Sequence, residues 1–494
     1  MQTISVTCSA GEIQGRVKED ALLFAGIPYA QPPVGNLRFQ APQALSPFAE
    51  PFSALKFGPA APQIPSGGMT DNAPVRWSED CLTLNISAPT AIQSGEANRS
   101  VLVWIHGGGY RTGQGAIPWY NGTRFARDHD IVVVSMNYRL GALGFADLTH
   151  LGEEFKTSNV NGMLDQIAAL QWVQRNISAF GGDPSKVTIA GESAGAFSVG
   201  ALLGCPAAKG LFSRAIAQSG AAQHTLDPAA AQTVGQAFCA ELQQDNAVGL
   251  LAASAEDILA AQNATAAQFE SGAGIINSLG TSVSPFYPVH NTELMPLDPL
   301  QAIKSGNAAG VDVLIGSNSD ETTLWSYGDV DEAKLQRIAT EFDVADGLST
   351  YRGCRPNANA EQLLVALTSD HLFRIPCIRM AEAQLEHTPN VWMYLFDWKS
   401  RAFDGRLGAT HALEIPFAFN NLDRAGVDVF IGPGPLPQDL ADTMHQAWSD
   451  FIKHGSPDWP SYTTAQRSTM VFADTSSTVE DPMGEERLVW DGVR

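Results

Sequence analysis

VTIAGESAGAFSVG, residues 187–200, decides the fold. It opens with a short β-branched apolar run, breaks at Gly191, sets Ser193 between Gly191 and Gly195, and resumes with small residues that suit a helix. Gly191-Glu192-Ser193-Ala194-Gly195 fits the pattern G-x-S-x-G. Placed directly after a strand and before a helix, that pattern is a nucleophile elbow. A turn this sharp holds its serine in a strained backbone conformation, so the neighbours must be small enough for strand and helix to pass closely. The result is a hydroxyl raised over a sheet edge, with a helix N-terminus beneath it.

The surroundings repeat the same rhythm. VLVWIHGGG (101–109), IVVVSMNYR (131–139), RAIAQSG (214–220), VDVLIGSN (311–318) and VWMYLF (391–396) are further apolar, β-branched or aromatic runs, most of them closed by Gly, Ser or Asn. LDQIAALQWVQRNISAF (164–180) repeats apolar residues at helical spacing. Strands that are apolar throughout and alternate with helices predict an α/β fold with a mostly parallel central sheet, buried between helices. The first 60 or so residues alternate apolar and polar and are rich in turns, which predicts a small N-terminal antiparallel sheet. Two stretches, about 225–275 and 330–385, read as helical insertions placed to cap a site. The whole chain, 1–494, is read as one catalytic domain.

Composition narrows the function. Apolar residues make up 44 % and charged residues 17 % of the chain, as in a globular protein. A net charge of −22 disfavours nucleic acid and anionic membranes as partners. No apolar run reaches membrane-spanning length, and the N-terminus lacks the basic-then-apolar pattern of a signal peptide, so a cytoplasmic location is expected. Cys8, Cys81, Cys205, Cys239, Cys354 and Cys377 are too scattered for a zinc site and are expected to be reduced. Neither a metal nor an organic cofactor is expected.

A serine nucleophile needs a base, and the base needs an acid to orient it. Of the histidines after the elbow, His445 and His454 lie in or beside an amphipathic run and read as surface residues, and His371 precedes a proline-containing helix. His411, in the glycine-containing loop GRLGATHALEIPF (405–417) after a strand, is placed to reach the sheet edge. Asp320 and Glu321, just past VDVLIGSN, are both candidates for the acid, and spacing does not choose between them. The glycine triplet of WIHGGGY (104–110) supplies backbone amides for an oxyanion, together with the amide of Ala194. It lacks the lysine and spacing of a phosphate-binding loop.

These segments, with FAGIPYAQPPVGNLRF (24–39), SEDCLTLNI (78–86), NYRLGALGF (137–145), GSNSDE (316–321) and GATHALEIPF (408–417) in order, resemble the type-B carboxylesterases. These are the cholinesterase-like branch of the α/β-hydrolases, and the bacterial para-nitrobenzyl esterases are the most similar members. The resemblance implies the α/β-hydrolase fold and a Ser193–His411–Glu321 triad, with Glu321 as the acid. It implies an oxyanion hole of Gly108, Gly109 and Ala194. Glu192 and Ser219 fall on positions of a buried polar network, and Phe286 on the acyl-side wall.

Several positions depart from the family pattern. Thr322 stands where glycine is usual, Ala61 replaces the partner of Cys81, and His290-Asn291 replaces Asp-Gly. The choline-stacking tryptophan is missing near Asp71, leaving Asp71 or Trp77 to meet any cation. The expected partner is therefore a small-molecule ester, small to medium and uncharged, and the expected state a monomer or weak homo-oligomer. Rival readings are a hydrolase of another acyl bond (lipase, amidase, carbamate hydrolase or thioesterase) and a non-catalytic binding protein.

Overall fold

The structure is a computed structural model that describes residues 2–65, 75–94, 97–270, 279, 284–325 and 327–493. Asp71 lies outside the described residues, as does the end of the first insertion. Among the described residues thirteen strands form one sheet: β1 (Thr3–Cys8), β2 (Gly11–Lys18), β3 (Ala21–Pro28), β4 (Phe52–Ser53), β5 (Thr83–Pro89), β6 (Arg99–Ile105), β7 (Val132–Met136), β8 (Gly182–Glu192), β9 (Arg214–Gln218), β10 (Asp312–Asn318), β11 (Val391–Phe396), β12 (Ser468–Phe472) and β13 (Ser477–Glu480). They bond in the order β1-β2-β3-β5-β7-β6-β8-β9-β10-β11-β12-β13, with β4 beside β2.

From β7 to β12 every neighbouring pair is parallel, and antiparallel pairs close both ends. The six apolar runs read from the sequence are β6 to β11. The expected N-terminal antiparallel sheet is present but does not stand apart. β3 pairs with β5 and β5 with β7, which joins it to the parallel core.

Burial on both faces explains why these strands are apolar throughout. In β6, Val101, Val103 and Ile105 enter one hydrophobic cluster while Leu102 and Trp104 enter a second, as alternation across a pleated strand requires. The stretch 225–275 contains helices Pro228–Leu242, Ala247–Ala252 and Ala255–Gln268, and 330–385 contains Glu332–Glu341, Leu348–Cys354, Ala360–Ser369 and Ile375–Leu385. Several begin at side-chain caps. Asp227 accepts from the amides of Ala229 and Ala230, and Asn359 with Gln362 forms a reciprocal capping box.

Candidate active site

Parallel pairing brings the carboxyl ends of five strands to one edge. Ile105 lies opposite Gly191, Glu192 opposite Gln218, Gln218 opposite Gly316, and Asn318 opposite Phe396. The glycine triplet, the elbow, Ser219, the Asp320-Glu321 pair and the loop to His411 therefore all leave the sheet on the same side, where α/β sheets bind ligands.

Ser193 sits between β8 and the helix Ala194–Gly204 at φ 56°, ψ −125°. This is a strained conformation for a residue with a Cβ. Its amide donates to Gln218 O (3.0 Å), which fastens the turn to β9. Packing explains the glycines. A Cβ on Gly195 would lie 2.1 Å from Ile105 O, and one on Gly191 would lie 2.4 Å from the Gly195 backbone. Gly107 presses against the Ser193 turn, where a Cβ would meet Glu192 O at 2.6 Å and Ser193 Cβ at 3.0 Å. Gly108 and Gly109 follow at φ 105° and 61°. Among the described residues their amides donate to no protein acceptor. Ala194 opens its helix, so its N–H has no intrahelical partner.

The two adjacent carboxylates go to different places. Glu321 is fully buried, and its Oε2 accepts from His411 Nδ1 (2.5 Å) while its Oε1 accepts from the Asn318 amide (2.8 Å). Asp320 turns away to Lys399 Nζ (2.6 Å) and the Ala409 amide (2.9 Å). The other imidazole nitrogen, His411 Nε2, lies 3.1 Å from Glu192 Oε1. Among the described residues neither of these two atoms makes a hydrogen bond, so Ser193 and His411 are not hydrogen-bonded in this structure. Catalytic bonds are commonly loose without substrate and tighten in the complex.

Electrostatics follow from burial. Desolvation pushes the Glu192 carboxyl well above the usual carboxylate range, and Glu414 and Glu321 push it further, against the pull of His411. Burial alone would lower His411, but the carboxylates of Glu192 and Glu321 outweigh it and raise the imidazole to about 9. Glu414 is raised to about 7, first by burial and then by the charge of Glu321.

The residues expected to support the site divide. Glu192 faces the imidazole, whereas the Ser219 hydroxyl finds no hydrogen-bond partner among the described residues. The buried polar network runs through its neighbour instead. Gln218 Nε2 donates to Glu414 Oε1 (3.1 Å), Asn318 Nδ2 to Glu414 Oε2 (2.8 Å), and Trp448 Nε1 to Gln218 Oε1 (3.0 Å). Phe286 is buried edge-on against Phe238, and the aromatic rings flanking His411 are Trp325 (5.1 Å) and Phe373 (4.7 Å).

Sequence reading missed Glu414, Trp325 and Phe373. Glu414 carried a signal, a lone carboxylate in the apolar run HALEIPF. His445, expected at the surface, is buried, with Nδ1 bonded to Ala418 O and its ring against Phe125. Thr322 binds Thr368 Oγ1 (2.8 Å), tying the Glu321 loop to the helix Ala360–Ser369. Asn291 takes φ 56° where the family's glycine stands, a conformation that asparagine tolerates better than most residues. Cys81 is free and buried, and the remaining five cysteines are free as well. No helix among the described residues is long and apolar enough to cross a membrane.

A mostly parallel sheet with a serine elbow after one strand and a histidine–carboxylate pair on the loops after two others defines an α/β-hydrolase. The chain belongs to the carboxylesterase family, whose sequence profile matches residues 2–489, and so is a carboxylic-ester hydrolase. It is 37 % identical to the para-nitrobenzyl esterase of Bacillus subtilis, over 98 % of this chain and 97 % of that one. It is 34 % identical to the phenmedipham hydrolase of Pseudarthrobacter oxydans, over 95 % of each. Among solved structures it resembles a thermophilic PNB esterase, with a TM-score of 0.87, 34 % identity and coverage of 98 % of this chain and 99 % of that one. A carboxylesterase of Geobacillus stearothermophilus matches with a TM-score of 0.86 and 35 % identity, over 98 % of this chain and 99 % of that one.

Proposed function

We propose that this chain hydrolyses small to medium uncharged esters through an acyl-enzyme, with Ser193, His411 and Glu321 as its triad and the amides of Gly108, Gly109 and Ala194 as its oxyanion hole. The observation that carries the reading is Ser193 at φ 56° on the sheet edge that also holds the buried His411–Glu321 pair. The para-nitrobenzyl esterase and PNB esterase relatives support it. The acidic surface, at −22, favours uncharged over anionic substrates. The reading treats residues 1–494 as one catalytic domain, supported by the larger core cluster, which draws residues from Ile13 to Trp490.

In this mechanism His411 Nε2 takes the Ser193 proton as Oγ attacks the ester carbonyl. Glu321 holds the Nδ1–H tautomer and stabilises the imidazolium. The three amides meet the oxyanion, each donor contributing about 10²–10³ in rate. The tetrahedral intermediate collapses as His411 protonates the departing alcohol. Water then gives a proton to His411 and attacks the acyl-enzyme, and the acid leaves as Oγ regains its proton.

A p-nitrophenyl ester series from acetate to laurate, run beside the matching anilide and a carbamate, tests the substrate class. Short and medium esters should turn over fastest. A preference for laurate with activation at a lipid interface, or for the anilide or carbamate, would reassign the bond, and no turnover at all would remove the reading.

Glu192 gives a pH prediction. His411 must be neutral to act as base, and the Glu192 carboxylate raises its proton affinity. Where Glu192 is ionised, removing its charge lowers the imidazole pKa, so the acid limb of kcat/KM for Glu192→Gln should move to lower pH. A limb that stays in place would mean that Glu192 is protonated throughout that range.

A further inference from the structure

The loops carrying Glu321 and His411 are joined by more than the carboxylate–imidazole bond. The Asp320 amide donates to Ala409 O (3.1 Å), the Ala409 amide donates to Asp320 Oδ2 (2.9 Å), and the His411 amide donates to Glu321 O (3.1 Å). Asn318 Nδ2 donates to Thr410 O (2.7 Å), and Thr323 Oγ1 lies 2.6 Å from Leu407 O. The two loops thus run as a short ladder, with Asp320 facing Ala409 and Glu321 facing His411.

Asp320 is itself held from behind. Its Oδ2 also accepts from Lys399 Nζ (2.6 Å), and the same ammonium lies 2.6 Å from Asp397 Oδ1 and 2.7 Å from Ser319 Oγ. The chain is shaped around this carboxylate. Gly408 sits at φ 57°, and a Cβ there would come within 2.4 Å of Asp320 Oδ2. The loop needs such a fastening. It runs from the end of β11 to His411 through exposed residues 403–406, with Phe403 and Asp404 in left-handed conformations at φ 50° and 56°. A single hydrogen bond to Glu321 does not by itself fix the imidazole, whereas backbone bonds on the preceding residues fix where the ring starts.

We propose that Asp320 is a positioning residue for hydrolysis: its carboxylate, braced by Lys399, pins the Ala409 amide and so sets His411 in line with Ser193. The proposal rests on the triad reading above. Asp320 bonds Lys399 and the Ala409 amide, and it acts through the histidine loop.

The experiment compares wild type, Asp320→Ala, Asp320→Asn and Glu321→Gln on p-nitrophenyl butyrate, with circular dichroism to confirm folding at the assay temperature. A one-ångström displacement of a catalytic group costs about 10²-fold. Asp320→Ala should therefore lose about 10- to 100-fold in kcat, with KM within about twofold. Asp320→Asn keeps an oxygen to accept from the Ala409 amide and should recover most of that loss. The downfield proton resonance of His411 Nδ1–H should persist in Asp320→Asn and broaden in Asp320→Ala. Wild-type kcat in a folded Asp320→Ala overturns the proposal, as does a loss that only tracks the unfolded fraction. If Asp320→Asn were as inactive as expected for Glu321→Gln while Glu321→Gln stayed active, the triad assignment itself would have failed, with Asp320 as the acid.

Discussion

Ser193→Ala should lose hydrolysis of p-nitrophenyl butyrate by about 10⁵–10⁶-fold in kcat, as removal of a triad nucleophile does when the three residues act as a unit. The loss should appear without a loss of fold. The Ser193 side chain makes no helix-capping bond, and the alanine keeps the Cβ that the strained backbone already carries. Its unfolding midpoint should therefore stay within a few degrees of wild type. The remaining activity would come from the oxyanion amides and substrate binding alone. A phosphonate ester that labels the wild-type enzyme stoichiometrically should leave Ser193→Ala unlabelled. Labelling of the variant, or turnover within tenfold of wild type, would place the nucleophile elsewhere.

What could be read from the sequence was local. The elbow was legible because Gly191 and Gly195 are demanded by contacts one strand or one turn away, at Ile105 O and within the turn itself. β6 to β11 were legible because both of their faces are buried, which leaves unbroken apolar runs. The merging of the N-terminal sheet was not legible. It depends on β5, whose segment carries Thr83, Asn85 and Ser87 among apolar residues, and Asn85 is spent on the Gly26 amide rather than on solvent.

His445 was misplaced for a similar reason. Within the helix Gln438–His454 it shares the buried side with Ala441, Trp448 and Ser449, and its polarity is absorbed by Ala418 O. Trp325 and Phe373 reach His411 from two segments that nothing local connects. The choice between Asp320 and Glu321 is of the same kind. Neighbouring side chains leave the backbone in different directions, and which one meets an imidazole 90 positions away is decided by the β10–β11 register. Family resemblance supplied the expectation of Glu321, and Glu321 is the carboxylate that accepts from His411 Nδ1.

Glu321→Gln should reduce kcat by about 10³–10⁴-fold, near the loss seen when a triad acid becomes an amide. The reason lies in its two fixed partners. Glu321 Oε1 accepts from the Asn318 amide and Oε2 from His411 Nδ1, so both oxygens are acceptors facing donors. A glutamine has only one acceptor oxygen. If that oxygen faces Asn318, the NH₂ group faces Nδ1, which must then accept. The imidazole proton moves to Nε2, and the nitrogen that should take the Ser193 proton already carries one. If the oxygen faces His411, the NH₂ opposes the Asn318 N–H inside a fully buried site, at a cost of about 1–3 kcal/mol for the unpaired donors. Neither orientation also stabilises an imidazolium. Because the two neutral tautomers carry the same number of protons, their balance does not change with pH, so the loss in Glu321→Gln should persist on the high-pH plateau while KM stays close to wild type. A pH-independent loss of less than tenfold would show that Glu321 does not set the tautomer of His411.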